Sequence, residues 1–213
     1  MKITRIPVGA LAANCYIIET ESKNAAAVDA GGDFEKLKKY LDDNGLTLKK
    51  ILLTHGHFDH IGAVAQLSLE YNAEVFIHED DAVMLTDRRE SLADAAGGMP
   101  HTDVEKYTTL KDGDTVTLDE LSFEVIHTPG HTRGGVCYKC GNSLFTGDTL
   151  FKMSMGRTDF PGGSASQLFD SLKRLSSLEG DYDVYPGHNE PTTLDYERKY
   201  NAYLKGNPYE DFI

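Results

Sequence analysis

Apolar and polar residues alternate along the first third of the chain in a way that predicts strands and helices in turn. Leu37 and Leu41 lie four positions apart within a predicted helix over Phe34–Asp43, and Gly45 marks its end. A second helix reaching Tyr71 is predicted by the apolar residues Ile61, Val64, Leu67 and Leu69. Short apolar runs predict strands near residues 2–7, 15–20, 25–29, 50–53 and 74–78.

The middle of the chain has a different pattern. Residues 79–86 have a helical pattern, whereas residues 87–106 contain Gly97, Gly98 and Pro100 and show no sustained period. Loops of this length are uncommon unless they cover a site. Further strands are predicted at 115–118, 122–127, 135–139, 143–146 and 183–185, and further helices at 166–178, which Gly180 ends, and at 193–204.

Two mostly β halves, each followed by helices, favour an α/β fold. Sheets bury one face against each other and cover the other face with helices, so we expect an αββα sandwich of two mixed β-sheets with helices on both outer faces. No composition shift or linker divides the chain, so residues 1–213 are predicted to form a single domain.

Charge and cysteine content narrow the possible partners and compartment. With 21 basic and 34 acidic residues, the chain has a net charge of −13, which repels nucleic acid and anionic lipid, and we expect neither as a partner. No run approaches the ~20 apolar residues of a membrane-spanning helix. Pro7, Gly9 and Asn14 interrupt the N-terminal apolar run, and three cysteines leave one unpaired in any disulfide scheme, which favours a cytoplasmic location.

Candidate chemistry appears where four strands end. The stretches ILLTHGH (51–57), VIHTPGH (125–131), SLFTGD (143–148) and DVYPGH (183–188) each join an apolar run, a glycine and an imidazole or carboxylate. A small residue lets the backbone turn tightly and presents the next side chain beyond the sheet edge. Four such ends can therefore converge on one crevice.

These side chains are of the types that bind metal ions. Neutral imidazole is the commonest nitrogen ligand, and aspartate adds a harder oxygen. A lone PGH or GD is usually only a turn, but THGHFDH (54–60) holds three histidines within six positions. Because zinc takes about four ligands, seven candidates suit two ions that share a bridge. The candidates are His55, His57, Asp59, His60, His131, Asp148 and His188.

Three other histidines, His78, His101 and His127, fit no ligand position in this pattern. Structural roles at strand ends are expected for His78 and His127, and His101 falls in the long loop. The CYKC stretch at Cys137–Cys140 has no second CxxC, so ordinary strand cysteines are expected there instead of a zinc or redox site.

The motifs together resemble the metallo-β-lactamase-fold hydrolases. THGHFDH is followed by TPGHT (128–132), GDTLF (147–151) and PGH (186–188), and the resemblance runs from NCYII (14–18) to His188. GDTLF and GRTDFPGG (156–163) are most similar to the glyoxalase II-like, or hydroxyacylglutathione hydrolase-like, branch. The resemblance implies that His55, His57 and His131 hold one metal, that Asp59, His60 and His188 hold a second, and that Asp148 bridges them.

The same resemblance implies a reaction. Two divalent ions, most simply Zn²⁺ with Fe or Mn as alternatives, would activate a bridging hydroxide that attacks the carbonyl of a small-molecule thioester. Asp59 would hold the water and accept its proton. Arg157 lies where glyoxalase II-like enzymes bring a basic side chain toward the substrate, and a loop salt bridge with Asp159 is the alternative for it. Arg88 and Arg89, in the long loop, are either substrate contacts or solvated charges.

Departures from the family keep other functions open. Full-length glyoxalase II enzymes add a C-terminal helical domain that binds glutathione. Because 25 residues follow His188 here, we expect that domain to be missing, and the chain resembles the short single-domain members. A mono-iron persulfide dioxygenase shares the scaffold and a similar GRTDF segment, but it departs at the second-site histidines. A non-catalytic metal-binding module and a nuclease of the same fold are further alternatives.

Overall fold

Fourteen strands and five α-helices are present in a computed structural model that describes residues 1–99 and 101–205. The strands are β1 Lys2–Val8, β2 Ala13–Glu19, β3 Asn24–Val28, β4 Thr47–Leu52, β5 Glu74–His78, β6 Thr108–Leu110, β7 Thr115–Leu118, β8 Leu121–His127, β9 Val136–Cys140, β10 Ser143–Gly147, β11 Leu150–Phe151, β12 Ser154–Met155, β13 Asp183–Pro186 and β14 Thr192–Thr193. The α-helices are α1 Phe34–Asp43, α2 Phe58–Ile61, α3 Val64–Tyr71, α4 Ala165–Ser176 and α5 Leu194–Tyr200.

The strands form two six-stranded mixed sheets and one small two-stranded sheet. The first sheet has the order β1-β2-β3-β4-β5-β6, and its strands pair antiparallel from β1 to β3 and parallel from β3 to β6. The second has the order β14-β13-β10-β9-β8-β7 and is antiparallel except for the pair β10 and β13. Strands β11 and β12 form the small sheet.

Three layers of apolar side chains hold the sheets and helices together. The inner layer lies between the two sheets and includes the fully buried rings of Tyr16, Phe123 and Phe145. The outer layers pack Leu37 of α1 against the first sheet and Leu172 of α4 against the second. Each such side chain contributes ~1.5–3 kcal/mol of burial. Strand β2 buries all seven of its residues because it is covered on both faces. The predicted αββα sandwich is confirmed.

Two of the predicted helices are interrupted. The helix expected from Ile61 to Tyr71 is broken between α2, which ends at Ile61, and α3, which begins at Val64. At the break, the Ala63 N–H donates to the Ala30 carbonyl, 2.9 Å away. The helix expected over 193–204 ends at Tyr200, where Asn201 turns to an extended conformation, and a 3₁₀ helix follows at Ala202–Lys205.

The segment that follows β5 and the shortest strands also differ from the sequence-based prediction. Residues 79–86 form a 3₁₀ helix over Glu79–Leu85 instead of an α-helix. Residues 87–99 and 101–106 are loop and turn, as predicted, and Pro100 lies outside the described residues. Strands β6, β11, β12 and β14 are not predicted because two or three residues are too few to show a period.

The cysteines are structural. Cys15, Cys137 and Cys140 are all free and buried, and Cys137 and Cys140 pack into different core layers on opposite faces of β9. They therefore share no ligand position. Within residues 1–99 and 101–205, no helix has the length and apolar character needed to cross a membrane.

Candidate metal centre

The strands that precede the candidate ligands all end at one edge of the sandwich. In the second sheet β8 and β10 run in the same direction, since both are antiparallel to β9, and β13 is parallel to β10. Their ends therefore meet at one edge, and there His131, Asp148 and His188 follow. Strand β4 belongs to the first sheet, but the Val136 N–H at the start of β9 donates to the Thr54 carbonyl, 2.8 Å away. This hydrogen bond brings the end of β4 to the same edge.

A first group of three imidazoles lies beneath this edge. His55, His57 and His131 are each at most 4% exposed, and each offers a nitrogen within 4.8 Å of the other two. His57 Nδ1 and His131 Nε2 face each other across 3.0 Å. Three converging imidazole nitrogens at this separation can hold one divalent ion.

A second group lies beside the first and contains a carboxylate. Asp59, His60 and His188 also offer ligand atoms within 4.8 Å of one another. His188 Nε2 lies 3.2 Å from Asp59 Oδ2 and 3.3 Å from His60 Nε2. Asp59 and His60 reach this position because α2 begins directly after His57, so one short stretch supplies side chains to both groups.

The Asp148 carboxylate lies between the two groups. Its Oδ1 is 3.5 Å from His60 Nε2, and its Oδ2 is 3.6 Å from His131 Nε2 and 3.7 Å from His188 Nε2. A carboxylate in contact with both groups is placed to bridge two ions. All seven side chains that the sequence indicates are thus brought together.

Neighbouring acceptors fix which imidazole nitrogen is free to bind metal. His60 Nδ1 lies 3.0 Å from Asp29 Oδ2, and His131 Nδ1 lies 2.7 Å from the Arg157 carbonyl oxygen. Because a carboxylate and a carbonyl only accept, both Nδ1 atoms must carry the hydrogen, which leaves Nε2 as the free nitrogen. The Thr54 hydroxyl donates to Asp29 Oδ2 at 2.6 Å, so its oxygen can accept from His55 Nδ1, 3.1 Å away.

Burial and neighbouring charges set the protonation states of these side chains before any metal binds. Burial, together with the nearby His60 and His131, lowers the pKa of His57 to about 3 and also lowers that of His55, so both rings are neutral at pH 7. Burial alone would raise the pKa of Asp59, but His60 and His188 hold it well below its usual range. Burial opposes protonation of His60, yet the Asp59 and Asp148 carboxylates raise its pKa to about 10. Metal binding at that ring must therefore displace a proton.

The chemistry of these residues fits metal ions. His55 Nε2 and Asp148 Oδ1 are buried without a hydrogen-bond partner among the described residues. Leaving such atoms unpaired costs ~1–3 kcal/mol each, which a metal ion would offset. The backbone also leaves room, because a side chain on Gly187 would collide with Asp148 Oδ1 at 2.3 Å.

Three positioning residues are missing from the sequence-based site. Asp29 binds His60 and Thr54, as described above. The buried Asp81 accepts from the Thr132 hydroxyl and the Gly134 N–H, both at 2.7 Å, and so supports the loop that carries His131. Asn14 Nδ2 donates to the carbonyls of Pro186 (3.0 Å) and Asn189 (2.8 Å) on either side of His188. Asp29 could have been recognised, since in VDAGG (28–32) a carboxylate directly follows a strand and precedes two glycines.

The remaining candidates lie outside the two groups. Arg157 lines the cavity above them, where its guanidinium donates two hydrogen bonds to Asp159, at 2.7 and 2.6 Å. His78 and His127, with Asp80, form a separate group, but their rings are stacked 4.1 Å apart with planes only 7° from parallel. His101 is buried in the long loop, with Nδ1 3.2 Å from the Ser91 hydroxyl oxygen.

Other interactions hold the long loop in place. Arg88 is held within the loop, since it donates to Asp94 at 2.9 Å and to the Met99 carbonyl at 3.1 Å. Of the two loop arginines, neither Arg88 nor Arg89 is among the residues that line the cavity above the histidines.

Known proteins are similar to this chain in both sequence and fold. Residues 8–188 match the model of the metallo-beta-lactamase superfamily. The hydroxyacylglutathione hydrolase GloC of Haemophilus influenzae is 38% identical, over 96% of this chain and 98% of the relative. The crystal structure of BLEG-1, a B3 metallo-beta-lactamase, has a TM-score of 0.92 at 35% identity, covering 96% of this chain and 100% of that one. A protein solved in a di-iron-bound form has a TM-score of 0.84 at 37% identity, covering 94% and 99%. The strand order, the converging ligands and these likenesses agree: the chain belongs to the metallo-beta-lactamase superfamily.

Proposed function

We propose that the protein is a metal-dependent hydrolase that cleaves small-molecule thioesters with two divalent ions, Zn²⁺ in the simplest case. His55, His57 and His131 would hold one ion, Asp59, His60 and His188 would hold the other, and the Asp148 carboxylate, which lies between the two groups, would serve both. Membership of the superfamily supports a metal-dependent enzyme. The single observation that carries the two-ion assignment is the position of the Asp148 carboxylate, 3.5 Å from His60 and 3.6 Å from His131.

The reaction adds water across the acyl carbon–sulfur bond. Two divalent ions, when bound, would lower the pKa of the bound water to ~7. The water oxygen bonds to the acyl carbon, the carbon–sulfur bond breaks, and the water proton ends on the departing sulfur, giving a carboxylic acid and a thiol. The Asp59 carboxylate, which lies beside His60 and His188, is placed to take up that proton. No side-chain nucleophile is required.

Further parts of the proposal concern the chain as a whole. The activity resides in a single domain, and the chain acts in the cytoplasm on a small molecule, with no nucleic-acid or membrane partner. The net charge of −13 supports this choice of partner. Arg157 contributes to the substrate cavity, with its charge matched by Asp159.

Steady-state hydrolysis across a thioester panel that includes S-lactoylglutathione, with elemental analysis of the same sample, tests the proposal. We expect two ions per chain and hydrolysis that His57→Ala abolishes. His127→Ala is the matched control, since it removes an imidazole outside the two groups and should leave both readouts unchanged. A metal content near one per chain, or oxygen consumption with a persulfide in place of thioester hydrolysis, would contradict the assignment.

A second candidate reaction is hydrolysis of a β-lactam, because the chain is similar over nearly its whole length to the B3 metallo-beta-lactamase BLEG-1. The same water addition would open a strained amide in place of a thioester. A chromogenic cephalosporin added to the panel separates the two, since the thioester proposal expects the higher kcat/KM on a thioester.

A further inference from the structure

The cavity above the metal centre has an apolar wall that the proposed reaction does not use. The cavity has a volume of about 620 Å³, within the range typical of small-molecule sites. The floor carries His57, Asp59, His131, Asp148 and His188. The wall is built from apolar side chains of four segments: Leu11, Phe58, Leu92, Ala95, Ala96, Met99 and Phe160.

Hydrogen bonds hold this wall over the site. The Phe58 N–H, at the start of α2, donates to the Ser91 carbonyl at 2.9 Å, which ties the 87–99 segment to the helix that carries Asp59 and His60. Within the segment the Met99 N–H donates to the Ala93 carbonyl at 3.0 Å. The apolar side chains therefore face the cavity in one arrangement.

Cations that could bind an acidic substrate arm are scarce on this wall. Among the described residues that line the cavity, Arg157 is the one lysine or arginine. Its guanidinium is already paired with both oxygens of Asp159 and lies 4.0 Å from the centre of the Phe160 ring. Because the neighbouring Asp159 offsets the charge of Arg157, the wall has no unmatched lysine or arginine charge among the described lining residues, and its apolar side chains suit an apolar group better than an anionic one.

We propose that the substrate carries an apolar arm, aliphatic or aromatic, that packs against Leu92, Ala95, Ala96 and Met99 while its thioester lies over the histidines. The inference rests on the proposed thioester hydrolysis and adds a substrate class to it. A thiol arm with free carboxylates, such as that of glutathione, is a poorer fit than an uncharged thiol. Each methylene buried against the wall increases kcat/KM by about two- to fourfold until the cavity is filled.

Two substrate series test the inference with the metal-loaded full chain. One keeps an uncharged thiol and lengthens the acyl group from acetyl to octanoyl, and the other keeps acetyl and varies the thiol from glutathione to benzyl thiol. We expect kcat/KM to rise along one series, and the series in which it rises identifies the arm that occupies the wall. A flat dependence in both, or a preference for the charged thiol, overturns the inference while leaving thioester hydrolysis intact.

Variants of the wall provide the second test. Ala95 is exposed, so Ala95→Asp places a carboxylate in the wall without disturbing the core. We expect it to lower kcat/KM for the long-arm substrate by about tenfold or more and that for the acetyl substrate by less than about twofold. Ala202→Asp, at an exposed alanine far along the chain, is the matched control. Equal losses on both substrates would overturn the inference.

A binding measurement separates this inference from the proposed reaction. Non-hydrolysable S-octyl and S-ethyl thioethers of the same thiol are titrated calorimetrically into the wild type and Ala95→Asp. Tighter binding of the octyl compound, weakened by Ala95→Asp, supports the apolar arm even if no thioester is hydrolysed, in which case only the reaction is refuted. Equal affinities for the two thioethers, together with no gain in kcat/KM from an apolar thiol, refute the apolar arm.

Discussion

Replacing Gly187 with alanine should remove metal from the centre without unfolding the chain. The new methyl carbon would lie 2.3 Å from Asp148 Oδ1 and 2.8 Å from His60 Cε1. Ordinary contact begins at 3.4 Å, so the carboxylate oxygen must withdraw by about 1.1 Å. His60 is less able to give way, because its Nδ1 is held by Asp29 at 3.0 Å.

A shift of this size is large for a metal site. Ligand distances in metal sites hold to within about 0.2 Å, so a carboxylate displaced by five times that amount no longer binds well. Disturbing even an outer partner of a ligand costs about 10- to 100-fold in metal affinity, and we expect at least that loss here, or ~1.4–2.7 kcal/mol. Because Asp148 Oδ1 has no hydrogen-bond partner to lose, the free energy of unfolding should fall by only ~1–3 kcal/mol.

The assay is metal content after dialysis at a fixed free zinc concentration, with circular dichroism to check folding. Gly113→Ala is the control: Gly113 has a φ of +80° and open surroundings, so alanine strains the backbone there by ~1–2 kcal/mol without touching the centre. The wild type and Gly113→Ala should keep two ions, and Gly187→Ala should keep fewer. Two ions and wild-type hydrolysis in Gly187→Ala would refute the reasoning.

Three further predictions concern stability. Asp81→Ala should lower the free energy of unfolding by ~3–5 kcal/mol in urea denaturation, because the buried donors Thr132 and Gly134 lose their acceptor; a loss below ~1 kcal/mol would contradict this. Burial and His127 lower the pKa of His78 in the folded chain below 6.5. As the pH falls through 6.5, the His78 ring is therefore protonated more readily in the unfolded chain than in the folded one, and the free energy of unfolding of the metal-free protein should fall. Thermal melts between about pH 7.5 and 5.5 should show a smaller drop for His78→Phe than for the wild type, and equal drops would count against it. Chelation should lower the melting temperature by the equivalent of ~2.7 kcal/mol if zinc had been present at about 100 times its Kd, and restoring zinc should reverse this; an unchanged melting temperature would mean that metal binding and folding are not linked.

Sequence patterns predict the ligand candidates better than the residues that position them. The repeated strand, glycine and ligand arrangement points to His131 and His188 without any knowledge of their partners. Asp81 gives no such signal, because Thr132, one of its partners, lies 51 positions away and the two meet only in the folded chain. A single sequence shows which side chains can bind metal, but not which distant groups hydrogen-bond to them.

Elements of the fold that depend on local sequence are likewise predicted, whereas those that depend on contacts with distant residues are not. Long buried strands such as β2 and β8 show a clear apolar pattern and are predicted, whereas β14, with two residues, exists only because β13 lies beside it. Leu69 suggests a buried helix face by its type but is 83% exposed, because the face of α3 that packs on the sheet carries Val64 and Leu67. Packing against the sheet therefore determines which apolar residues of a helix are buried, and periodicity alone does not.

The metal centre depends on how the two sheets pack together. His131, Asp148 and His188 follow three strands of the second sheet, but THGHFDH follows β4 of the first. Two hydrogen bonds join the end of β4 to β9: the Tyr138 hydroxyl donates to the Leu53 carbonyl at 2.9 Å, and the Val136 N–H donates to the Thr54 carbonyl. Strand β9 begins at the edge where β8 ends, so these bonds bring the two ligand sources together. An ion bound by ligands from both sheets would in turn oppose their separation, which links metal binding to the packing of the whole sandwich.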